Sequence, residues 1–582
     1  SINMLALLKG GSARLLVFQS FLKRLSGLIL VGALLANCAN EPSESVRALS
    51  NGFETSMSGN YLAGRYARRD NDSRMASINF KLARLKDPND IRLIREAFLS
   101  ELRLGNVEEA VKLAEHSIKL DSVSPFMMLV VGLREAKSGN WEKANDAFGK
   151  LPQSQLNQIL GPLILGWTSI GKGKVDLGVT SFSKISEKEG FEILGLLHLG
   201  LGYQIAGEVQ KADAAFEKAL LHDTVPPDRL KISTAAHYAR SARLAQARKM
   251  VKRLTKNDVD ATVLNTILEE KTTLLNKEVF ITNAADGLAE ALFDISQALK
   301  NDLTDELAII FARLSLYMRP EFTPTNILLG EMLNQSGKHH QAINHFSKIK
   351  ANSAYFLFAQ FNLATTLQNI EKTEDAVSLL ENIIQNNPEE YRPYIHIGDL
   401  KRSLKKWGEA IKAYSRALQL KTSTENSDWI LYYSRGIAYE QSKNWDQAEA
   451  DFLKALELSP NQPFVMNYLG YAWAEQGIKL TEANELIVKA VEQRPRDGYI
   501  ADSLGWVLYQ SGDYKRAVPE LERAVQLRPN DATINDHLGD AYWKVGRKLE
   551  ARFQWDKAKS MKLDASHLES INQKLKQGLE DN

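Results

Sequence analysis

The chain has one cysteine in 582 residues. That scarcity excludes an intramolecular disulfide, a zinc site built on several thiolates and a CxxC redox pair. Neither sign of charge is in excess: 73 Lys and Arg face 71 Asp and Glu, a net charge of +2. No whole-molecule field therefore favours a polyanion, and nucleic acid is not an expected partner. The sequence also lacks an HExxH helix, a P-loop, a GxSxG elbow and a dinucleotide fingerprint. The expectation is a chain with no catalysis, no cofactor and no small-molecule substrate. His339, His340 and His345 share one helical stretch but have no cysteine or acid at helical spacing, which predicts a solvated helix rather than a metal site. What is present is ordinary globular composition, 44% hydrophobic and 25% charged. Disorder, collagen-like repeats and a polytopic membrane protein are excluded by it.

The address of the lone cysteine is informative. Cys38 follows the apolar run 25–36 (LSGLILVGALLA), which is preceded by Lys23 and Arg24 and is too short to span a bilayer. A charged segment and a short apolar segment together predict an export signal over 1–37. Leu35-Ala36-Asn37-Cys38 resembles the lipobox of bacterial lipoproteins, whose cysteine is acylated, with Asn37 departing from the usual Gly, Ala or Ser. Cys38 is therefore the expected lipidation site and membrane anchor. The alternative is an ordinary signal peptide or signal anchor with an incidental cysteine. Removal of 1–37 takes four basic residues and no acid, leaving a slight acidic excess. Residues 38–58 are polar and pattern-poor, as a flexible tether would be.

From there the chain repeats itself. Leu504-Gly505, Leu508, Ala517, Leu521, Ala524 and Pro529 return as Leu538-Gly539, Tyr542, Ala551, Trp555 and Ala558 with a period of 34 residues. Earlier copies include Gly470 with Ala483 and Ile487, Gly436 with Ala448 and Phe452, Gly132 with Ala144 and Phe148, and Gly64 with Ala76 and Phe80. The pattern resembles the tetratricopeptide (TPR) repeat, a pair of antiparallel helices. A second glycine recurs seven residues on, at Gly105, Gly139, Gly337, Gly477 and Gly512 among others, where the first helix must end in a left-handed cap. The fold expected is all-α, a right-handed superhelical solenoid of about fourteen TPR repeats in two segments. An N-terminal solenoid over 59–254 and a C-terminal solenoid over 287–563 are joined by an irregular helical connector over 255–286, where the landmarks vanish. Residues 564–582 form a tail or capping helix.

In such repeats the first helix of each hairpin lines the inner face of the solenoid, and aromatic and acidic residues concentrate at its facing positions in the last repeats. The expected protein-binding groove comprises Tyr433, Asn467, Tyr468 and Tyr471, then Asp502, Trp506 and Tyr509, then Asp536, His537, Asp540 and Trp543, with Trp506 and Trp543 at least partly accessible. Aromatic rings bury large area at small entropy cost while polar groups orient a partner. The alternative is that several of these rings pack between repeats as core. The phrases NYLGYAWAEQG (467–477), DGYIADSLGW (497–506) and NDHLGD (535–540) resemble the large TPR outer-membrane lipoproteins of Gram-negative bacteria. That family includes an adaptor for a periplasmic carboxyl-terminal processing protease and its cell-wall hydrolase substrates. The resemblance implies an outer-membrane, periplasm-facing scaffold with protein partners of that kind. A structural component of an envelope assembly or secretion complex is the second reading.

Overall fold

The computed structural model describes residues 56–251 and 280–579, apart from 123, 153, 155, 223–225, 301–304, 422–423 and 562–564. Cys38, the apolar run before it, nearly all of the tether and most of the 255–286 connector lie outside the described residues. Among the described residues there are twenty-nine α-helices and no β-strand. Within the two compact units they pair into thirteen hairpins, leaving one helix at the end of the first unit, one at the start of the second and one at the C-terminal end.

Two compact units are present, Ser1–Lys372 and Thr373–Asn582. In the first, the hairpins are α1 (Met57–Arg69) with α2 (Ser73–Lys86), α3 (Ile91–Leu104) with α4 (Val107–Lys119), and α5 (Pro125–Lys137) with α6 (Trp141–Gly149). They continue as α7 (Asn157–Gly171) with α8 (Val175–Ser186), α9 (Glu192–Ile205) with α10 (Val209–His222), and α11 (Asp228–Arg240) with α12 (Leu244–Val251). Then come α13 (Ala284–Leu299) with α14 (Asp305–Met318), α15 (Thr323–Gln335) with α16 (His339–Ser347), and α17 (Phe356–Asn369). The second unit holds α18 (Thr373–Asn386), α19 (Arg392–Ser403) with α20 (Trp407–Leu420), and α21 (Trp429–Gln441) with α22 (Trp445–Leu458). It ends with α23 (Pro463–Glu475) and α24 (Leu480–Gln493), α25 (Gly498–Gln510) and α26 (Tyr514–Leu527), α27 (Ala532–Lys544) and α28 (Lys548–Lys559), and the closing α29 (Ala565–Gln577).

The steric basis of the period is visible in every hairpin with its landmarks intact. A Cβ on Gly132 would stand 2.3 Å from the Phe148 ring, and one on Gly505 would stand 2.4 Å from Cγ of Leu521. The glycine lets the partner helix lay a large side chain across the first helix, and Phe148 and Leu521 are accordingly buried. The expected left-handed caps are also present: Gly105, Gly139, Gly337, Gly477 and Gly512 all have positive φ. Where glycine is missing from the same turn the backbone keeps that conformation, at Asn71, Ala242, Glu371, Lys405 and Lys443.

The division into units differs from the expected one. The break in landmarks suggested that the hairpin α13–α14 begins a second solenoid, yet it packs back onto first helices of the N-terminal hairpins. The units part instead at Lys372/Thr373. The cause is a set of long-range contacts that the repeat pattern does not encode. Residues 564–582 include a true helix, α29, which packs on α28.

Candidate functional site

The first helices of unit 1 present a face that the chain itself fills. Trp167 on α7 and His198 on α9 stand at facing positions, and α13 lies over them. Gly287 of α13 sits flat against the indole, since a Cβ there would be 2.3 Å from the Trp167 ring. The Trp167 N–H donates to Nδ1 of His198 at 3.0 Å, so Nε2 carries the proton and donates to Asp294 of α13 at 3.0 Å. Burial raises the Asp294 pKa, opposed by that histidine contact. Beside it Arg229 of α11 makes a bidentate ion pair with Glu290, both contacts at 2.5 Å. Burial works against the Arg229 charge, but Glu290 more than offsets it and holds the guanidinium protonated. Nearer the start, Arg103 pairs with Glu306 of α14 at 2.6 Å and the Tyr317 hydroxyl donates to Glu108 at 2.9 Å. None of these residues was singled out from the sequence. Trp167 and His198 obey the facing-position rule, but nothing local announces the hairpin that covers them.

In unit 2 the predicted groove residues divide by depth. Tyr433, Asn467, Tyr468 and Tyr471, on α21 and α23, are half-buried, and so is Tyr509 on α25. Tyr433 and Tyr468 meet edge to face at 5.8 Å between centroids, and the Tyr468 hydroxyl donates to Glu440 at 3.2 Å. Burial pushes the Tyr433 pKa up to about 12, opposed by Arg402. Burial also raises Tyr468 and Tyr471, helped by Glu440 and Glu475 respectively, so all three phenols stay neutral donors. Asn467, beside Tyr468 on α23, has its Oδ1 buried and unpartnered. A buried amide oxygen without a donor costs on the order of 1–3 kcal/mol.

The remaining members are buried, and here the expectation of accessible tryptophans is corrected. Trp506 is 9% exposed and Trp543 is 8% exposed. The Trp506 ring is sandwiched between Tyr509, stacked at 4.8 Å, and His537, stacked at 3.9 Å, while its N–H donates to Glu475. Trp543 is covered by the C-terminal segment, with Gly578 packed on its ring and Trp555 at 5.4 Å. The carboxylates are likewise engaged inside the protein. Asp502 accepts from His537 at 2.9 Å, and Asp536 accepts from Lys574 at 2.9 Å and meets His567 at 3.1 Å. Asp540 accepts from the Trp555 N–H at 2.9 Å and from Lys574 at 2.8 Å. His537 is raised above its usual pKa: burial lowers it, and Asp502 followed by Asp540 and Asp536 more than offsets that. The physical reason is stacking: each first helix leans on the next, so facing residues near the C-terminal end bond to the following helix, with α29 in the last place.

His339 and His345 are occupied by amides. Nδ1 of His339 meets Asn334 Oδ1 at 2.7 Å, and Nδ1 of His345 meets Asn326 Oδ1 at 2.9 Å. Among the described residues no group of three His, Cys, Asp or Glu side chains comes together as a metal site.

Stacked helical hairpins with a half-open aromatic face define a repeat scaffold, and comparison with known proteins supplies the repeat type. Family models described as tetratricopeptide repeat match residues 361–427 and 429–462, and one described as TPR repeat matches 505–546. The chain thus carries tetratricopeptide repeats. It is similar to TPR repeat-containing protein PA4667 of Pseudomonas aeruginosa, 26% identical over 196 residues, which are 34% of this chain and 32% of that protein. Tetratricopeptide repeat protein 13 of Homo sapiens is 27% identical over 226 residues, 38% of this chain and 23% of its own. The chain spans a third or less of the length of these relatives. Among solved structures, YrrB, described as a TPR protein with an unusual peptide-binding site, is 22% identical with a TM-score of 0.27, covering 33% of this chain and 97% of that one. The Cut9–Hcn1 structure is 14% identical with a TM-score of 0.39, covering 92% and 98%.

Proposed function

We propose that the chain is a non-catalytic scaffold, tethered to the outer membrane by an acyl group on Cys38, that binds a protein partner across the first-helix face of α21 and α23. The observation that carries this reading is the set of half-buried tyrosine rings on the first helices α21 and α23, Tyr433, Tyr468 and Tyr471, with Tyr433 and Tyr468 edge to face at 5.8 Å. The phenols supply flat contact area and hydroxyls that orient a bound segment. Glu440 and Glu475 flank the rings, so a segment bearing Lys or Arg fits best and its association is salt-sensitive. The finer reading, a periplasmic processing protease brought to peptidoglycan hydrolase substrates, rests on the resemblance of the 467–540 phrases. A lipid tether would raise the effective concentration of such a pair.

The test is affinity capture from Gram-negative envelope extract with the parent chain and with an Asn467→Ala, Tyr471→Ala double variant of matched melting temperature. The reading expects a carboxyl-terminal processing protease or a cell-wall hydrolase on the parent, with affinity for the double variant reduced about thirtyfold or more, as for loss of a central anchor. Retention of the same partner by both proteins would remove the site from this face. Capture of envelope-assembly or secretion subunits alone would favour the structural-component reading.

A further inference from the structure

We propose that the first hairpin of unit 1, α1 with α2, docks on a bilayer surface carrying anionic phospholipid, through exposed stripes in which basic and apolar side chains alternate. The reach of the tether depends on the proposed acylation of Cys38, whereas the surface itself is formed by described residues.

Charge that is nearly balanced over the whole chain is concentrated here. Residues 57–86 carry seven basic side chains against Asp70 and Asp72, while 91–119, which form α3 and α4, carry five of each sign. Helix α1 buries Asn60, Gly64 and Ala67 and exposes Leu62, Arg65, Tyr66 and Arg69. These four stand at i, i+3, i+4 and i+7, on one side of the helix. Helix α2 buries Ala76, Phe80 and Ala83 and exposes Arg74, Ile78, Lys81 and Leu85, again a single stripe. Leu62 is 65% exposed, Tyr66 60% and Leu85 70%. The cations are available to a partner. Arg65, Arg74, Lys81 and Lys86 form no ion pair among the described residues, and Arg69 has only an exposed pairing with Asp70 at 3.8 Å, which is worth little. Arg68, by contrast, is paired with Glu96 of α3.

A bilayer interface is the partner that this alternation fits. Headgroup phosphates take the guanidinium and ammonium groups, and the boundary with the acyl chains takes Leu62, Ile78 and Leu85, with Tyr66 at the level where amphipathic rings settle. The Arg69 guanidinium lies over the Tyr66 ring at 4.9 Å, so charge and ring are presented together. A nucleic acid would match the charge and leave the leucines in water. The chain before the hairpin points the same way. Eighteen residues lead from Cys38 to Ser56, the N-cap of α1, and even fully extended they reach no more than about 65 Å. An acyl anchor on Cys38 thus keeps α1 and α2, before any other described helix, close to the bilayer. At the high effective concentration this creates, modest attraction is enough for docking.

The test is vesicle co-sedimentation of the chain from residue 38 on with Cys38→Ser, which keeps every described residue and cannot be acylated there. Phosphatidylcholine vesicles containing phosphatidylglycerol are expected to carry it down at low salt, those of phosphatidylcholine alone are not, and added salt should release it. Arg65→Gln, Arg69→Gln, Arg74→Gln and Lys81→Gln together, all at exposed positions, should leave the melting temperature unchanged and weaken binding about fivefold for each charge removed. A control with the same loss of charge, Gln at the exposed Lys143, Lys412, Lys443 and Lys489, should bind as the parent does. Leu62→Ser with Tyr66→Ser should weaken binding and keep its salt dependence. Sedimentation no greater with the anionic vesicles than with the neutral ones, or equal loss in the basic variant and the control, would overturn the proposal. So would a parent that binds polyglutamate or single-stranded DNA but not anionic vesicles, which would assign the surface to an acidic protein or a nucleic acid. The chain tested carries no acyl group and the α21–α23 face takes no part, so failure here is distinct from failure of the scaffold reading, which partner capture decides.

Discussion

Replacing Lys574 with methionine keeps most of the side-chain volume and removes one charge from a buried acidic cluster in unit 2. The ammonium makes three charge-assisted hydrogen bonds, two to Asp536 at 2.9 Å and one to Asp540 at 2.8 Å. Its side chain is 15% exposed and those of the two acids 8% and 7%, so solvent cannot take over its role. Breaking a buried pair by removing one partner costs about 3–5 kcal/mol, mostly because the other charge stays buried and alone. Burial already raises the Asp540 pKa, with Lys574 opposing and Asp536 adding to the rise. Without Lys574 the folded-state value must rise further above the unfolded one. The folded variant then binds more protons than its unfolded chain, so its stability falls as pH rises through that window. The deficit relative to the parent is therefore largest near neutrality and shrinks in acid. Urea unfolding of Lys574→Met and parent from about pH 4 to 8 measures this. A variant within about 0.5 kcal/mol of the parent at pH 7, or a deficit that grows in acid, would refute the reasoning.

Gly505→Leu forces a side chain into Leu521 and should cost about 1–3 kcal/mol, while Leu521→Ala leaves a cavity worth about 2–5 kcal/mol; hydrogen exchange should place both losses near α25 and α26 rather than at Gly64, since repeat stability is nearest-neighbour. Lys443→Gly should stabilise unit 2 by about 0.5–1 kcal/mol in thermal unfolding, because an exposed lysine at φ 62° carries left-handed strain that glycine lacks. His537, raised above its usual value, contributes stability that is complete below about pH 6.5 and is lost as pH rises through the elevated folded value. His537→Gln should flatten the pH dependence of the urea midpoint in that window.

The fold was legible because its determinants are local and periodic. Gly132 and Phe148 lie sixteen residues apart in one hairpin, and each repeat states the same steric fit again. The burial of the candidate-site residues was not legible. The facing-position rule selects one side of each first helix, but it cannot measure depth. Trp506 and Tyr471 occupy the same side, yet His537 of the next helix covers the former and leaves the latter half-open. Lys574, which neutralises Asp536 and Asp540, lies more than thirty residues beyond them. The folding-back of α13–α14 depends on Arg229 finding Glu290 and His198 finding Asp294, pairs 61 and 96 residues apart. No period encodes such pairs, so the break in landmarks at 255–286 suggested a boundary that the compact units do not follow.

The central claim is that a protein partner lies across the α21–α23 face of the second unit. Its most direct measurement is site-specific photo-crosslinking in a Gram-negative envelope, with the reactive residue placed in turn at Tyr471, at Glu440 and at the exposed Leu549 of α28. The account predicts one common crosslinked protein from Tyr471 and Glu440, and none of it from Leu549. Crosslinks to that protein from Leu549 with none from Tyr471 or Glu440 would contradict it.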